Sequence, residues 1–365
     1  MDIILSNGAS FGLEGKGSIK DGVPAMDVRV SHDDLLSLVS AIFRAKGMSA
    51  GDAATVADVL AWAELRGVPS HGVARIPRYL AAIERGKFDP AARPQRKPLA
   101  AGAVLLDCSY ASGAVAMTEA TAEATGIASR NGIGIALVRN TTHTGAIGRY
   151  AEWAAERGFI AVIVSVGIMS MAYHGARVPS LATAPIAIGV PGHKHGVLVL
   201  DMATAIAAMG RVRQALTEGK SLPEGWALDA DGAPTRDAAA AEIILPVGGP
   251  KGSGLALMFE FLTAVLAGNL DIAGGRKKQN AMVIAVDVAK FRPLADFIRD
   301  GDALADTIKG LPRMAGVDEI LLPGERGRKL AAERRRTGIP IVAKTWKQLA
   351  EAAGSLGVAV PKPLA

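Results

Sequence analysis

The stretch that decides the fold is IGIALVRNTTHTGAIGRYAEWAAERGFIAVIVSV, residues 133–166. Two apolar runs, residues 133–138 and 159–166, have the length and composition of buried strands, and residues 147–157 between them have a helical pattern. A polar turn at residues 140–145 separates the first strand from that helix. This alternation predicts an α/β domain.

The alternation continues on both sides of this stretch. Further strand candidates are residues 103–107, 185–190, 196–201, 243–247 and 282–288, and further helix candidates are residues 114–131 and 255–267. Upstream, a short strand at 27–30 precedes two helices that Ser31 and Ser49 are expected to cap. Residues 89–98, rich in Pro, Arg and Lys, are interpreted as a linker. Residues 292–308, 326–336 and 345–353 are predicted to be helices.

A length of 365 residues favours more than one domain. We divide the chain into a flexible leader at 1–26, a helical segment at 27–100, an α/β domain at 101–290 and a C-terminal helical segment at 291–365. We expect the C-terminal segment to pack on the N-terminal one.

Composition excludes several classes of protein. The 41 basic residues only modestly exceed the 35 acidic ones, and the basic clusters at 276–278 and 328–336 lack interleaved aromatics or a nucleic-acid motif. A single cysteine, Cys108, excludes an internal disulfide framework and is interpreted as a packing residue. No export signal or membrane span is evident. We expect a cytoplasmic protein without nucleic-acid or membrane partners.

A second informative stretch is Ser70-His71-Gly72-Val73-Ala74-Arg75-Ile76-Pro77-Arg78-Tyr79. His71, Arg75 and Tyr79 are spaced four apart and would share one face of a helix, although Pro77 fits only a first helical turn. An imidazole that exchanges a proton and a guanidinium that grips a carboxylate suit a small anionic substrate with an ionisable hydroxyl. The alternative is a buried loop histidine beside a surface arginine.

Two other residues stand at strand ends, where α/β proteins concentrate functional groups. His143 lies in the turn before a helix whose N-terminus would favour negative charge, and Gly145 allows close approach of a ligand. Its alternative role is to cap the turn. Asp201 ends the strand at 196–201 and is a candidate to orient His71, as is Ser70. The alternative for Asp201 is a helix N-cap.

The glycine-rich turn around Lys251 suits an anionic ligand or, alternatively, holds a solvated lysine. It lacks the P-loop order, and no G-x-G-x-x-G follows a strand, so an ordinary Rossmann site is not supported. A metal site built on His174, His193 and His195 has no supporting carboxylate cluster, and we predict none.

Five ordered motifs together resemble the type-2 malate/L-lactate dehydrogenase family, which also holds ureidoglycolate, sulfolactate and cyclic-imine-carboxylate enzymes. They are S-H-G-V-A-R-x-P-x-Y at 70–79, N-T-T-H-T-G-A-I-G-R-Y at 140–150, L-D-M-A-T at 200–204, G-G-P-K-G-S-G-L-A-L-M at 248–258 and L-L-P-G-E-R-G at 321–327. The resemblance covers residues 27–355. It implies a homodimer that uses NAD or NADP, bound by an α/β domain at 101–290 with a mixed sheet distinct from the Rossmann fold.

The resemblance also implies roles for individual residues. His71 would donate or accept the substrate proton with Ser70 and Asp201 as its relay, and Arg75 would bind the substrate carboxylate with Tyr79 beside it. His143 is the acid/base in some relatives, so the two histidines compete for that role. Cofactor contacts are expected at His143, Thr144, Gly145, Ala146, Ile147, Asp201, Met202, Ala203, Lys251, Gly324 and Glu325.

Three positions depart from the family pattern. Ala184 stands where an asparagine is common, Gly167 replaces a Ser- or Asn-type residue, and Pro250 stands where many malate and lactate enzymes have histidine.

The expected reaction is hydride transfer between NAD(P) and C2 of a small 2-hydroxy acid. The alternatives are reduction of a cyclic imine 2-carboxylate, a metal-dependent hydrolase and a basic binding module.

Overall fold

The computed structural model describes residues 27–217, 219–270 and 278–364. The predicted leader at 1–26 and most of the basic cluster at 276–278 therefore lie outside the described residues. No helix within the described ranges is long and apolar enough to cross a membrane.

The elements alternate along the chain much as the sequence predicts. The strands are β1 (Val28–Val30), β2 (Gln95–Ala100), β3 (Ala103–Asp107), β4 (Ile133–Thr141), β5 (Phe159–Val166), β6 (Met171–Ala172), β7 (Pro179–Leu181), β8 (Ile186–Val190), β9 (Leu198–Met202), β10 (Ala227–Leu228), β11 (Pro234–Thr235), β12 (Ile243–Ile244), β13 (Gln279–Asp287) and β14 (Ile339–Ile341). The helices are α1 (His32–Ala45), α2 (Ala50–Leu65), α3 (Ile76–Glu84), α4 (Gly113–Asn131), α5 (Gly148–Ala155), α6 (Met209–Thr217), α7 (Pro250–Glu260), α8 (Leu294–Lys309), α9 (Glu325–Thr337) and α10 (Ala343–Ser355).

A seven-stranded sheet in the order β2-β3-β4-β13-β5-β8-β9 forms the centre of the α/β part. β3 and β4 are parallel, whereas the other neighbours in this sheet are antiparallel. A smaller sheet has the order β11-β10-β12-β6-β7. The predicted α/β class with a mixed sheet is confirmed.

Alternate residues of the central strands face two separate cores, as the two-residue period of a strand requires. In β4, Ala136 and Val138 join the core that contains α2 and α4, whereas Leu137 joins the core beneath α7. In β3, Leu106 joins the core that contains α2 and α4, and Leu105 joins the core beneath α7. The continuous apolar runs seen in the sequence therefore belong to strands that are covered on both faces.

The two ends of the described chain meet in a small antiparallel pair, where Val28 of β1 lies opposite Ile341 of β14. The first helices begin where their capping residues predict. Ser31 Oγ accepts a hydrogen bond from Asp34 N at 3.0 Å, and Ser49 Oγ accepts one from Asp52 N at 3.2 Å.

Two local predictions need correction. The expected linker at 89–98 contains most of β2, which pairs with β3 and is exposed along its whole length. An edge strand tolerates Pro98 because its outer N–H groups need no partner, and its polar composition resembles that of a linker. The helix expected at 255–267 begins earlier, at Pro250, because proline is well suited to a first helical turn. Lys251 therefore lies in the first turn of α7.

Candidate active site

Two histidines face each other at the junction of the N-terminal helices and the central sheet. The rings of His71 and His143 are stacked, with centroids 5.5 Å apart and planes 26° from parallel. His143 lies in the turn between β4 and α5, and His71 ends a short 3-10 turn, Pro69–His71, that follows α2. The site thus combines two distant parts of the sequence.

The predicted helical face of His71, Arg75 and Tyr79 is not one continuous helix. Gly72 is extended, with φ −92° and ψ −150°, and divides the segment into two 3-10 turns before α3 begins. Tyr79 nevertheless reaches His143, because its hydroxyl lies 2.7 Å from His143 Nδ1. The three residues therefore belong to one site, although the backbone between them differs from the prediction.

The partners of His143 determine where its proton sits. Gly145 N donates to His143 Nδ1 at 3.2 Å, so this nitrogen is an acceptor and the neutral ring carries its proton on Nε2. The contact also confirms that His143 caps its own turn. His71 has a different partner, since its Nδ1 lies 3.1 Å from Ser70 Oγ.

Burial keeps both rings neutral near pH 7. Burial and the nearby charge of Arg75 lower the pKa of His71 to about 4. Burial lowers the pKa of His143 well below its ordinary value, assisted by the charges of Arg75, His71 and Arg78. Neutral imidazoles are the forms that can accept a proton.

Within the part of the chain that the structure describes, Arg75 is anchored through one nitrogen. Its Nε donates to the main-chain oxygen of Ser70 at 2.5 Å. The two terminal nitrogens make no hydrogen bond within the ranges described, so the fork of the guanidinium is available to an anion.

Asp201 has a different partner from the one expected. Its Oδ2 accepts a hydrogen bond of 2.9 Å from Gly148 N, and no hydrogen bond to His71 is found among the described residues. Asp201 lies opposite Ala187 in the β8–β9 pair, and from there its carboxylate reaches the first residue of α5. Crowding desolvates this carboxyl and raises the pKa of Asp201 to about 6, although the residue still reaches solvent. Asp201 thus caps a helix, but one from another part of the chain.

The segment before α5 presents backbone rather than side chains. Thr144 is buried, and its hydroxyl lies 3.3 Å from Ser165 Oγ. Gly145 has φ +72°, and a Cβ there would lie 2.9 Å from Val59. The N–H groups of Ala146 and Ile147 have no hydrogen-bond acceptor in the described part of the chain.

Strand β9 and its exit bring the remaining predicted cofactor positions together. Upstream of Asp201, Gly324 packs so closely on Val199 that a Cβ would lie 2.9 Å from Val199 O. Downstream of Met202 and Ala203, Thr204 O accepts a hydrogen bond of 2.8 Å from Val247 N, and a Cβ on Gly252 would overlap the same oxygen. The turn that carries Lys251 therefore lies against the end of β9.

Glu325 is already occupied by contacts within the protein. Burial would raise its pKa, but hydrogen bonds from Leu322 N and from Lys309 and Lys329 lower the pKa of Glu325 to about 2. Lys309 Nζ lies 2.8 Å from Glu325 Oε1. The carboxylate of Glu325 therefore stabilises the start of α9.

Sequence reasoning missed the charged residues at the end of α2. Arg66 forms an ion pair with Glu152 of α5, and Trp62 Nε1 donates to the same carboxylate. Arg66 also donates to Gly324 O at 3.3 Å. Two residues before Arg66, Glu64 is 2 % exposed and accepts a hydrogen bond of 2.9 Å from Val73 N. The only signal in the sequence is charge within an otherwise apolar helix.

Other candidate groups lie outside this constellation. The described residues contain no cluster of three or more His, Cys, Asp or Glu side chains suited to a metal. His195 instead pairs with Asp306 at 2.8 Å. Cys108 is buried, and burial raises the pKa of its thiol to about 12, which agrees with a packing residue.

Comparison with known proteins identifies the family of the chain. Residues 30–350 match the family described as malate/L-lactate dehydrogenase. The chain belongs to this family. An L-sulfolactate dehydrogenase of Methanocaldococcus jannaschii is 34% identical over 335 residues, which cover 88% of this chain and 95% of the relative. The predicted family and its oxidoreductase class are confirmed.

Two further similarities extend over most of the family fold. A Δ1-pyrroline-2-carboxylate/Δ1-piperideine-2-carboxylate reductase of Pseudomonas putida is 33% identical over 340 residues, covering 90% of this chain and 97% of the relative. The crystal structure of malate dehydrogenase from Entamoeba histolytica is similar with a TM-score of 0.86 at 26% identity. The similarity covers 92% of this chain and 99% of that one.

The three departures from the family pattern have structural settings. Gly167 leaves room for Gln279, because a Cβ there would lie 3.0 Å from the Gln279 side chain. Gln279 Oε1 in turn accepts a hydrogen bond from Thr144 N at 3.2 Å. Ala184 has φ +29°, a backbone conformation in which asparagine is better tolerated than alanine. Pro250 occupies the first turn of α7.

We predict that Arg66→Met lowers the free energy of unfolding by about 3–5 kcal/mol, because it leaves the Glu152 carboxylate buried without its cation. Urea denaturation at one protein concentration measures the change. The double variant Arg66→Met/Glu152→Gln should recover much of the loss, since the buried charge is then absent. Lys347→Met, which removes an exposed ion pair with Glu351, is the control and should cost less than about 1 kcal/mol. A double variant no more stable than Arg66→Met would contradict the prediction.

Proposed function

We propose that the protein catalyses reversible oxidation of a small 2-hydroxy acid at C2, with NAD or NADP as cofactor. The observation that carries the proposal is the neutral His71 beside an Arg75 whose two terminal nitrogens have no described partner. A carboxylate held by Arg75 would present its neighbouring hydroxyl to the imidazole. This is the arrangement that proton removal from a 2-hydroxy acid requires.

His71 is the better candidate for the base. If Ser70 Oγ accepts the proton of His71 Nδ1, Nε2 of His71 is free to take the substrate proton. The neutral ring of His143 already carries its proton on Nε2, because Gly145 N occupies Nδ1 as donor. In our proposal His143 therefore donates a hydrogen bond from Nε2 to a substrate oxygen. Tyr79 donates its hydroxyl proton to His143 Nδ1 and so orients that ring, while Ser70 orients His71.

The pKa of about 4 for His71 has a direct consequence for the two directions of reaction. At neutral pH the ring is unprotonated, which suits oxidation of the hydroxy acid. Reduction of the oxo acid needs the protonated His71 ring. Either the negative charge of the bound substrate raises the pKa of His71, or His71 takes up a proton as the substrate binds. We therefore expect the reductive direction to gain as pH falls.

The residues around α5 fit an anionic cofactor. The N–H groups of Ala146 and Ile147, which have no acceptor among the described residues, lie at the start of a helix, where negative charge is favoured. In this proposal they hold the cofactor together with His143, Thr144, Asp201, Met202, Ala203, Lys251 and the turn Gly324-Glu325. The nicotinamide ring, when bound, supplies the acceptor for the hydride that leaves C2.

A cyclic imine 2-carboxylate is the second candidate substrate. The Pseudomonas putida relative is named for reduction of two such compounds. The same Arg75 would hold the carboxylate, and a histidine would supply the proton that the imine nitrogen gains.

We also propose that the protein is a homodimer. Six apolar residues, all 40–59 % exposed, lie along α7 and the π-helical turn Phe261–Val265 that extends it: Leu255, Met258, Phe261, Leu262, Val265 and Leu266. A contiguous apolar surface of this kind is typical of a protein interface. A second copy of the chain is the occupant that the family resemblance implies.

Two further expectations belong to the proposal. A cytoplasmic location is supported by the single, buried and unpaired Cys108. The division into a cofactor part at 101–290 and a helical part from 27–100 and 291–365 is supported by the β1–β14 pair. Because β2 pairs with β3, we propose to place the first boundary before β2.

The first experiment is oxidation of NADH and of NADPH by the purified protein with a panel of 2-oxo acids and one cyclic imine acid. We expect turnover with at least one oxo acid and a clear preference for one cofactor. Turnover of the imine acid alone would favour the second candidate. If the protein binds neither NADH nor NADPH, the dehydrogenase proposal is wrong.

Replacing Arg75 with lysine tests the carboxylate grip. We expect Arg75→Lys to raise the substrate KM by about tenfold or more, because a bidentate contact becomes a single one. The dissociation constant of the cofactor, followed by nucleotide fluorescence, should change less than about twofold, because Arg75 is assigned to the substrate and not to the cofactor. For comparison, a tenfold change in a dissociation constant corresponds to about 1.4 kcal/mol. Equal weakening of substrate and cofactor would count against the assignment of Arg75.

A charge in the apolar face of α7 tests the dimer. Met258→Glu should shift the protein from dimer to monomer in sedimentation or light scattering, because it buries an unpaired carboxylate at the proposed interface. Leu99→Glu makes the same kind of change at an exposed leucine of β2 and should leave the mass unaltered. A monomeric wild-type protein at micromolar concentration would refute the dimer.

A further inference from the structure

We propose that Glu64 is a positioning residue for the reaction, because its carboxylate holds the turn that carries both His71 and Arg75. Glu64 lies in the last turn of α2, and its Oε1 is 2.9 Å from Val73 N. Val73 is midway between His71 and Arg75. The inference rests on the proposed function for the roles of these two residues.

Backbone hydrogen bonds alone leave this turn incomplete. His71 N donates to Val68 O, Gly72 N to Pro69 O and Arg75 N to Gly72 O, at 2.9–3.1 Å. Val73 N has no backbone acceptor among the described residues, and Val73 itself is fully buried. A buried N–H without an acceptor is costly, and Glu64 supplies the missing acceptor.

Gly72 is shaped around the same carboxylate. A Cβ at Gly72 would overlap the Glu64 carboxyl group and would lie 2.8 Å from Glu64 Cγ. Glu64 therefore contacts the turn on two consecutive residues. The side chain and the turn are packed as one unit.

The carboxylate is costly for the protein to bury, because no cation forms an ion pair with it within the ranges described. Arg334 donates to the main-chain oxygen of Glu64, not to its side chain. An apolar side chain of similar length would fill the same space without that desolvation. What the glutamate adds is the acceptor for Val73.

The position of the turn sets two properties of the site. His71 must lie beside the substrate hydroxyl, and Arg75 must hold the carboxylate at the matching distance. Displacement of about 1 Å from a reactive geometry can lower a rate by about 100-fold. Loss of the Glu64 contact should therefore affect kcat and the substrate KM together, but not the cofactor contacts near α5.

Two variants separate the hydrogen bond from the packing. Glu64→Met keeps the length of the side chain without an acceptor, and Glu64→Gln keeps the acceptor oxygen. We expect Glu64→Met to lower kcat/KM by about tenfold or more, with both kcat and KM changed and cofactor affinity within about twofold. Glu64→Gln should stay within about threefold of the wild type, since the hydrogen bond to Val73 is preserved.

Amide hydrogen exchange gives a readout that does not depend on turnover. The peptide covering residues 69–76 should exchange faster in Glu64→Met than in the wild type or in Glu64→Gln, because the Val73 amide is released. If Glu64→Met does not fold, Gly72→Ala provides a second approach, since its methyl group competes with the carboxylate. It should show the same loss of kcat/KM with cofactor binding retained.

Equal kinetics and equal exchange in Glu64→Met and the wild type would overturn the inference. So would a Glu64→Gln variant as impaired as Glu64→Met. If the wild type turns over no 2-hydroxy acid or imine acid, the proposed function fails, whereas the exchange data still decide whether Glu64 holds the turn.

Discussion

The buried ion pair between Arg66 and Glu152 is the constraint on which the site depends. It ties the end of α2 to α5, and the same guanidinium reaches Gly324 O at the start of α9. The turn with His71 and Arg75 leaves α2 directly after this point, and His143 lies directly before α5. This charge pair therefore holds together the two helices that adjoin the histidine-bearing turns.

Burial determines the chemistry of this site more than charge pairing does. Desolvation lowers the pKa of His71 and His143 and raises the pKa of Asp201 and Glu64, the last to about 7. In each case the uncharged form gains. Burial and the charges of Arg78 and Arg213 act on the guanidinium of Arg75, and no acidic side chain pairs with it in the described part of the chain. A site of this kind is prepared for an anion before the substrate binds.

Local patterns were sufficient to predict much of the fold. Ser31 and Ser49 cap their helices through contacts three residues away, and the apolar runs of β4 and β5 reflect burial on both faces. The edge strand β2 was missed because an exposed strand has the polar composition of a loop. Motifs brought His71, Arg75 and His143 to attention, but the partner of Asp201 depends on how the β8–β9 pair lies against α5. Such a contact between distant segments has no local signature.

The close packing of Gly72 on Glu64 also has a consequence for how this sequence can change over time. The two positions share one volume, so a larger residue at 72 needs a shorter one at 64, and a shorter residue at 64 leaves the amide of Val73 without its acceptor. Substitution at either position alone passes through an impaired intermediate. We therefore expect positions 64 and 72 to covary across homologous sequences, as a pair eight residues apart whose link is visible only in three dimensions.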